Sequence, residues 1–217
     1  MVLFLVASLP LLFSLVVVLP WGPRQSPPAL ALVATYLKGA LLFFPGYLVI
    51  LIVRRIFGFS YDGVLFFLSL LQQDPLVPLL TAMGGFLLLQ KTLTITASDE
   101  RVFLTTFACL SGFLSLVNIA DALRTVGQWD AYVLFLLPCL RAAGVLIVAL
   151  TARRFYRWEG RDGVMFFVAA AAASVGLTVC SYLAYSGRMG WAAGLSAAAV
   201  LGAVGVFAGR FPRAVQG

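Results

Sequence analysis

A chain of 217 residues that is 62% hydrophobic, only 11% charged and has a mean hydropathy of +1.04 lacks the polar surface of a soluble domain. Soluble domains are roughly 45–50% apolar and about 25% charged, so a compact body of this composition would expose greasy surface to water. The same figures exclude disorder, three cysteines are too few for a disulfide scaffold, and a chain without histidine has no Ser-His-Asp triad, His-Glu-x-x-His zinc site or His-ligated haem.

A bilayer core of roughly 30 Å needs about 20 apolar residues in a helix. Apolar runs at 2–20, 29–53, 62–90, 103–120, 131–152, 163–186 and 190–209 therefore predict an all-α, polytopic integral membrane bundle of seven or eight hydrophobic helices. The connectors are short, so residues 1–217 read as a single transmembrane domain. The run at 2–20 has no basic n-region and is too long for a signal peptide, which predicts a retained span. Trp21 to Pro28 form a turn with an aromatic suited to the membrane interface.

The run at 62–90 fits the template poorly. As one straight helix its 29 residues would measure about 43 Å at roughly 1.5 Å each, and Gln72-Gln73-Asp74-Pro75 interrupts it. Asp followed by Pro is a helix start signal, which predicts two short helices, about 62–73 and 75–90, meeting at a polar tip. A re-entrant hairpin is the preferred form of that broken segment. The alternatives are one tilted, kinked helix, or a surface helix followed by a span.

Cys109, Cys139 and Cys180 each sit inside an apolar run and read as small hydrophobes rather than metal ligands. Near the C-terminus, residues 169–173 are five alanines, and Gly190-x-x-x-Gly194 and Gly205-x-x-x-Gly209 repeat the small-residue spacing of close helix contacts. Packing within the bundle is the expected use of 163–186 and 190–209, with a homo- or hetero-oligomer face as the alternative.

Two stretches of the chain match. Arg54-Arg55-Ile56-Phe57 precedes Asp62-Gly63-Val64-Leu65-Phe66-Phe67, and Arg153-Arg154-Phe155-Tyr156 precedes Asp162-Gly163-Val164-Met165-Phe166-Phe167, 99 to 100 residues later. Internal duplication into halves 1–98 and 99–213 accounts for the shared Val-x-Phe-Phe. Convergence on basic turns and Asp N-caps accounts for the rest equally well. With a re-entrant 62–90, ten basic residues collect on one face and only Arg24, Arg124 and Arg188 on the other. By the positive-inside rule this predicts a cytoplasmic location for both termini and for both arginine turns, so the matched motifs would run parallel. A single crossing instead divides the charges nine to four. The basic residues are scattered at span ends rather than gathered in a patch, which argues against nucleic acid.

Charges inside spans cost about 2.5–3.5 kcal/mol on insertion scales and usually face a partner or a wet cavity. Arg141, ten residues into 131–152, is the firmest candidate for such a site, and Lys38 holds the comparable place in 29–53, with snorkelling as its plain alternative. Asp74 is the expected carboxylate to neutralise one of them, and Gln72 and Gln73 add amide donors and acceptors at the same break. Asn118 and Asp121, near the end of 103–120, read as interfacial. Tyr61-Asp62 is similar to the Tyr-Asp half of intramembrane aspartyl proteases, but Gly160-Arg161-Asp162-Gly163 does not supply their Gly-x-Gly-Asp partner, and N-capping is the better reading of both aspartates.

The chain therefore reads as a non-enzymatic, cofactor-free and metal-free membrane protein. The leading expectation is a small transporter or channel-like protein, with Arg141, Lys38, Asp74, Gln72 and Gln73 lining a path for an anionic or zwitterionic solute between the halves. The alternative is a membrane subunit, scaffold or sensor that acts through helix contacts. It differs in predicting that Arg141 is paired in dry packing.

Overall fold

The computed structural model describes residues 29–58, 62–90, 99–124, 134, 136–155 and 161–210, and it contains no strand among them. In chain order the helices are α1 (Ala29–Phe57), α2 (Gly63–Leu71), α3 (Val77–Gln90), α4 (Asp99–Arg124), α5 (Leu137–Phe155), α6 (Arg161–Tyr185) and α7 (Met189–Arg210). The expected span at 2–20 and the turn at 21–28 lie outside the described residues. The other apolar runs correspond to helices, and three stretches, Leu30–Phe57, Val102–Arg124 and Met189–Val206, are long and apolar enough to cross a membrane.

Apolar side chains fill the interior of this bundle and also cover much of its outside. The central helix, α4, has 83% of its apolar window buried, against 11% for α1 and 17% for α7. Yet α4 carries the buried polar side chains Thr106, Ser111, Ser115 and Asn118, while large apolar residues such as Leu30, Phe44, Val64, Trp191 and Leu201 are exposed. Interior hydroxyls are mostly satisfied on their own helix. Thr178 donates to the Ser174 carbonyl at 2.8 Å, Ser181 to Leu177 at 3.1 Å and Ser196 to Ala192 at 2.6 Å. Such back-bonding lets a hydroxyl sit in a dry interior without an orphan donor.

α1 lies across α4 at a contact that only glycine permits. A β-carbon on Gly39 would collide with the Cys109 carbonyl, and one on Gly112 would collide with the Tyr36 carbonyl. Above this crossing, Phe43 stacks on Tyr47 with centroids 4.8 Å apart and meets Phe113 edge-on at 6.2 Å. The Tyr36 hydroxyl donates to Ser115 Oγ at 2.9 Å, and Ser115 in turn donates to the Ser111 carbonyl at 2.8 Å. The expected glycine ridge of α7 behaves differently. Gly190, Gly194 and Gly205 have open space where a side chain would project, so this ridge does not pack within the described bundle.

Helix directions follow from the contacts. Arg54, near the end of α1, reaches Asp121, near the end of α4, so these two helices are parallel. Arg141, near the start of α5, reaches the same Asp121, so α5 returns antiparallel to both. α6 runs back again, its Leu177, Cys180 and Ala184 packing with Leu137 and Leu140 of α5. It closes in a tight turn in which Gly187, at φ 78°, lets the Arg188 N–H reach the Leu183 carbonyl at 2.9 Å and its own N–H reach Ala184 at 3.1 Å. That left-handed glycine stops α6 and reverses the chain into α7.

Three expectations are corrected by this geometry. First, 62–90 is not a re-entrant hairpin. Leu71, Gln72 and Val77 all keep right-handed helical angles, and Gln72–Leu76 form a single π-helical turn, so α2 and α3 continue in one direction. Pro75 lacks an N–H and crowds the preceding turn, and the wider π turn absorbs it: the Val77 N–H bonds back to the Gln72 carbonyl. Phe66 lies by Tyr182 and Tyr185 at the Arg54 end, while Gly85 lies by Leu42, further down α1. The break was expected at the right residues, but it is a bulge and not a reversal.

Second, the matched arginine turns are not on one face. α1 and α5 are antiparallel, so Arg54-Arg55 and Arg153-Arg154 lie at opposite ends of the bundle. Asp62 and Asp162 are likewise at opposite ends, which rules out a catalytic aspartate pair.

Third, Arg124 lies beside Arg54 and Arg55 rather than across from them. With Arg188 it makes four arginines at that end, against Arg101, Arg153, Arg154, Arg161 and Arg210 at the other. The ten-to-three division therefore falls, and with it the basis for placing both termini in the cytoplasm.

Candidate functional site

α4 and α5 are consecutive antiparallel helices, so the last turns of one face the first turns of the other. Ala122 and Leu134 pack together at this corner and hold the connection closed. Arg141 is the fifth residue of α5 and lies level with the last turns of α4. Its side chain is 2% exposed. Nη1 donates to Asn118 Oδ1 at 2.6 Å and Nη2 donates to Asp121 Oδ2 at 2.8 Å. Asn118 and Asp121 are three residues apart on α4, hence on one face, and together they accept from both terminal nitrogens of one guanidinium.

Asp121 serves a second arginine. Its other oxygen, Oδ1, accepts from Arg54 Nη1 at 3.3 Å and Nη2 at 3.4 Å, with both side chains 12% exposed. One carboxylate thus ties together α1, α4 and α5. Charge-assisted hydrogen bonds of this kind contribute about 1.5–3 kcal/mol each, and they offset the desolvation of a guanidinium that stays protonated. Two arginines share the Asp121 carboxylate, each bonded to a different one of its oxygens.

The expected site residues are not all brought together. Arg141 is at the junction. Lys38 is exposed on α1, beside the Gly39–Cys109 contact, which lies twelve residues before Asp121 on α4 and so about 18 Å from it along the axis. Gln72 is half-buried in the π turn. The side chains of Gln73 and Asp74 lie outside the described residues, so the expected Asp74 pairing is not placed. The residues that do hold Arg141, Asn118 and Asp121, are buried to half-buried in the bundle. Their signal in the sequence is a polar pair three apart at the end of one span, followed by an arginine early in the next.

Outside the junction, Cys109 and Cys180 are packed in the apolar core and Cys139 is half-buried, all three as free thiols. Among the described residues, no group of three Cys, Asp or Glu side chains converges as a metal site would require. Comparisons with family models, with curated proteins and with solved structures returned no match to this chain.

Proposed function

We propose that this chain is a multi-pass integral membrane protein that moves a small anionic or zwitterionic solute, as a transporter or a channel-like pathway, with the Arg141–Asp121–Arg54 junction as its control point. The observation that carries this reading is the shared carboxylate. Asp121 bonds Arg141 of α5 through one oxygen and Arg54 of α1 through the other. Asp121 is also placed to switch. If α1 moves against α4 and α5, the carboxylate trades one arginine for the other, and the released guanidinium faces the solute. Two alternative ion-pair partners on separate helices form the kind of bistable element that gating uses.

The exposed apolar faces of the bundle and its three long apolar helices support the membrane setting. So does the antiparallel relation of the matched segments: transporters are often built from inverted repeats with the solute site between them. On this reading halves 1–98 and 99–213 are inverted duplicates. The test is uptake by vesicles reconstituted with the purified chain, using a panel of small organic anions and amino acids against Arg141→Ala. The expected result is uptake by the parent chain that the variant loses while retaining its helical content. Uptake that is unchanged in the variant contradicts the proposal.

A second reading is favoured by the observation on which the two expectations differ: Arg141 is only 2% exposed and bonded inside the bundle through both terminal nitrogens. On this reading the chain is a non-catalytic membrane subunit, and the outward glycine ridge of α7 meets another helix. Arg141→Ala would then prevent insertion or assembly rather than abolish uptake.

A further inference from the structure

A surface pocket of about 540 Å³ lies beside the junction, lined by Leu51, Ile52, Arg54, Arg55, Ile56 and Arg124. Three arginines from two helices line one concavity, Arg54 bonded to Asp121 and Arg55 and Arg124 exposed, and among the described residues no carboxylate lines it. Arginine at a helix C-terminus often does no more than answer the partial negative charge of the last carbonyls. That explains one arginine per helix end, but not three around a common hollow with an aliphatic wall.

The depth of the pocket selects its ligand. At roughly 1.5 Å per residue α1 is about 43 Å long, which matches a bilayer measured from headgroup to headgroup, about 40–45 Å. The segment 51–56 in its last two turns then sits where acyl chains give way to headgroups. Ile52 and Ile56 are 50% and 69% exposed, and they would face the chains just below the arginines. A guanidinium recognises phosphate through paired N–H bonds, and an aliphatic strip below it suits the start of an acyl chain.

We infer that the pocket beside Arg54 is a binding site for an anionic phospholipid, with the phosphate against Arg55 and Arg124 and the acyl chains along Leu51, Ile52 and Ile56. The site does not depend on solute passage; Arg55 and Arg124 take no part in the Asp121 junction described above.

The test is calorimetric titration of the full chain in a neutral detergent with short-chain phosphatidylglycerol. Phosphatidylcholine of equal chain length, glycerol 3-phosphate and inorganic phosphate serve as comparisons. Phosphatidylglycerol should bind saturably and at least tenfold more tightly than each of the three. Arg55→Gln and Arg124→Gln should each weaken it about tenfold, the loss of one charge-assisted bond. Arg55→Lys should recover part of the affinity, and Arg188→Gln, an exposed arginine outside the pocket at the same end, should recover all of it. Equal binding of phosphatidylcholine overturns the proposal. Inorganic phosphate binding as tightly as the lipid overturns it in favour of a soluble anion, and an equal loss in Arg188→Gln overturns it in favour of diffuse surface charge. Melting temperature and helicity, measured on every variant, separate lost binding from lost fold. Because Arg55 is exposed, Arg55→Gln decides the matter should Arg124→Gln unfold.

Discussion

Asn118 holds Arg141 at the junction. Its amide oxygen accepts from Arg141 Nη1, beside the carboxylate that Arg141 shares with Arg54. Asn118→Ala removes that acceptor from a buried guanidinium and should cost about 2 kcal/mol, read by thermal unfolding in detergent. Asn118→Asp should act differently. It puts a second carboxylate on Arg141 and pins it, so the fold should hold or gain stability while uptake of an anion falls. Retained uptake in Asn118→Asp would mean that release of Arg141 does not control the solute. The sequence made Arg141 legible, because a permanent cation in an apolar run is conspicuous. Its partners were harder to see, because Asn118 and Asp121 gain their role only when the 125–136 connection folds α5 back against α4. Lys38 was conspicuous for the same reason as Arg141, yet it sits on an exposed face of α1, where a long stem can carry its ammonium toward water.

At the scale of elements, glycine spacing proved less informative than glycine contact. Gly190, Gly194 and Gly205 of α7 belong to Gly-x-x-x-Gly pairs and have open surroundings, whereas Gly39 and Gly112, spaced from Thr35 and Ala108 and not from a second glycine, bring α1 and α4 into backbone contact. Gly39→Ala should therefore force the helices apart and cost about 1–3 kcal/mol, an overpacking penalty. Gly194→Ala should leave the melting temperature unchanged or raise it, since alanine is the better helix former. Equal effects at the two positions would contradict the packing described here. The segment 62–90 shows a different limit. Gln72-Gln73-Asp74-Pro75 marked a real departure from α-helix, but a proline can be absorbed by a bulge as well as by a reversal. Which of the two occurs depends on the neighbours: α2 meets the last turns of α6, and α3 lies along α1.

Across the whole molecule, composition and the lengths of the apolar runs were enough to indicate helical class and most helix limits, because hydrophobic length is a local property. Direction was not local. Charge counting favoured parallel motifs only by ten to three over nine to four, and the placement of Arg54, Arg55 and Arg124 at one end shows why so small a margin misled. The inversion matters for the proposed function, since it sets the last turn of α1 and the first turns of α5 against the same carboxylate. With α1 and α5 parallel, Arg54 and Arg141 would be at opposite ends and Asp121 could not serve both. The direct measurement is side-specific labelling of single cysteines in sealed vesicles with a membrane-impermeant maleimide, after replacing Cys109, Cys139 and Cys180. Cysteines at positions 55 and 124 should label from one side, and those at 154 and 210 only from the other. Labelling of 55 and 154 from the same side would contradict the inverted arrangement and the junction built on it.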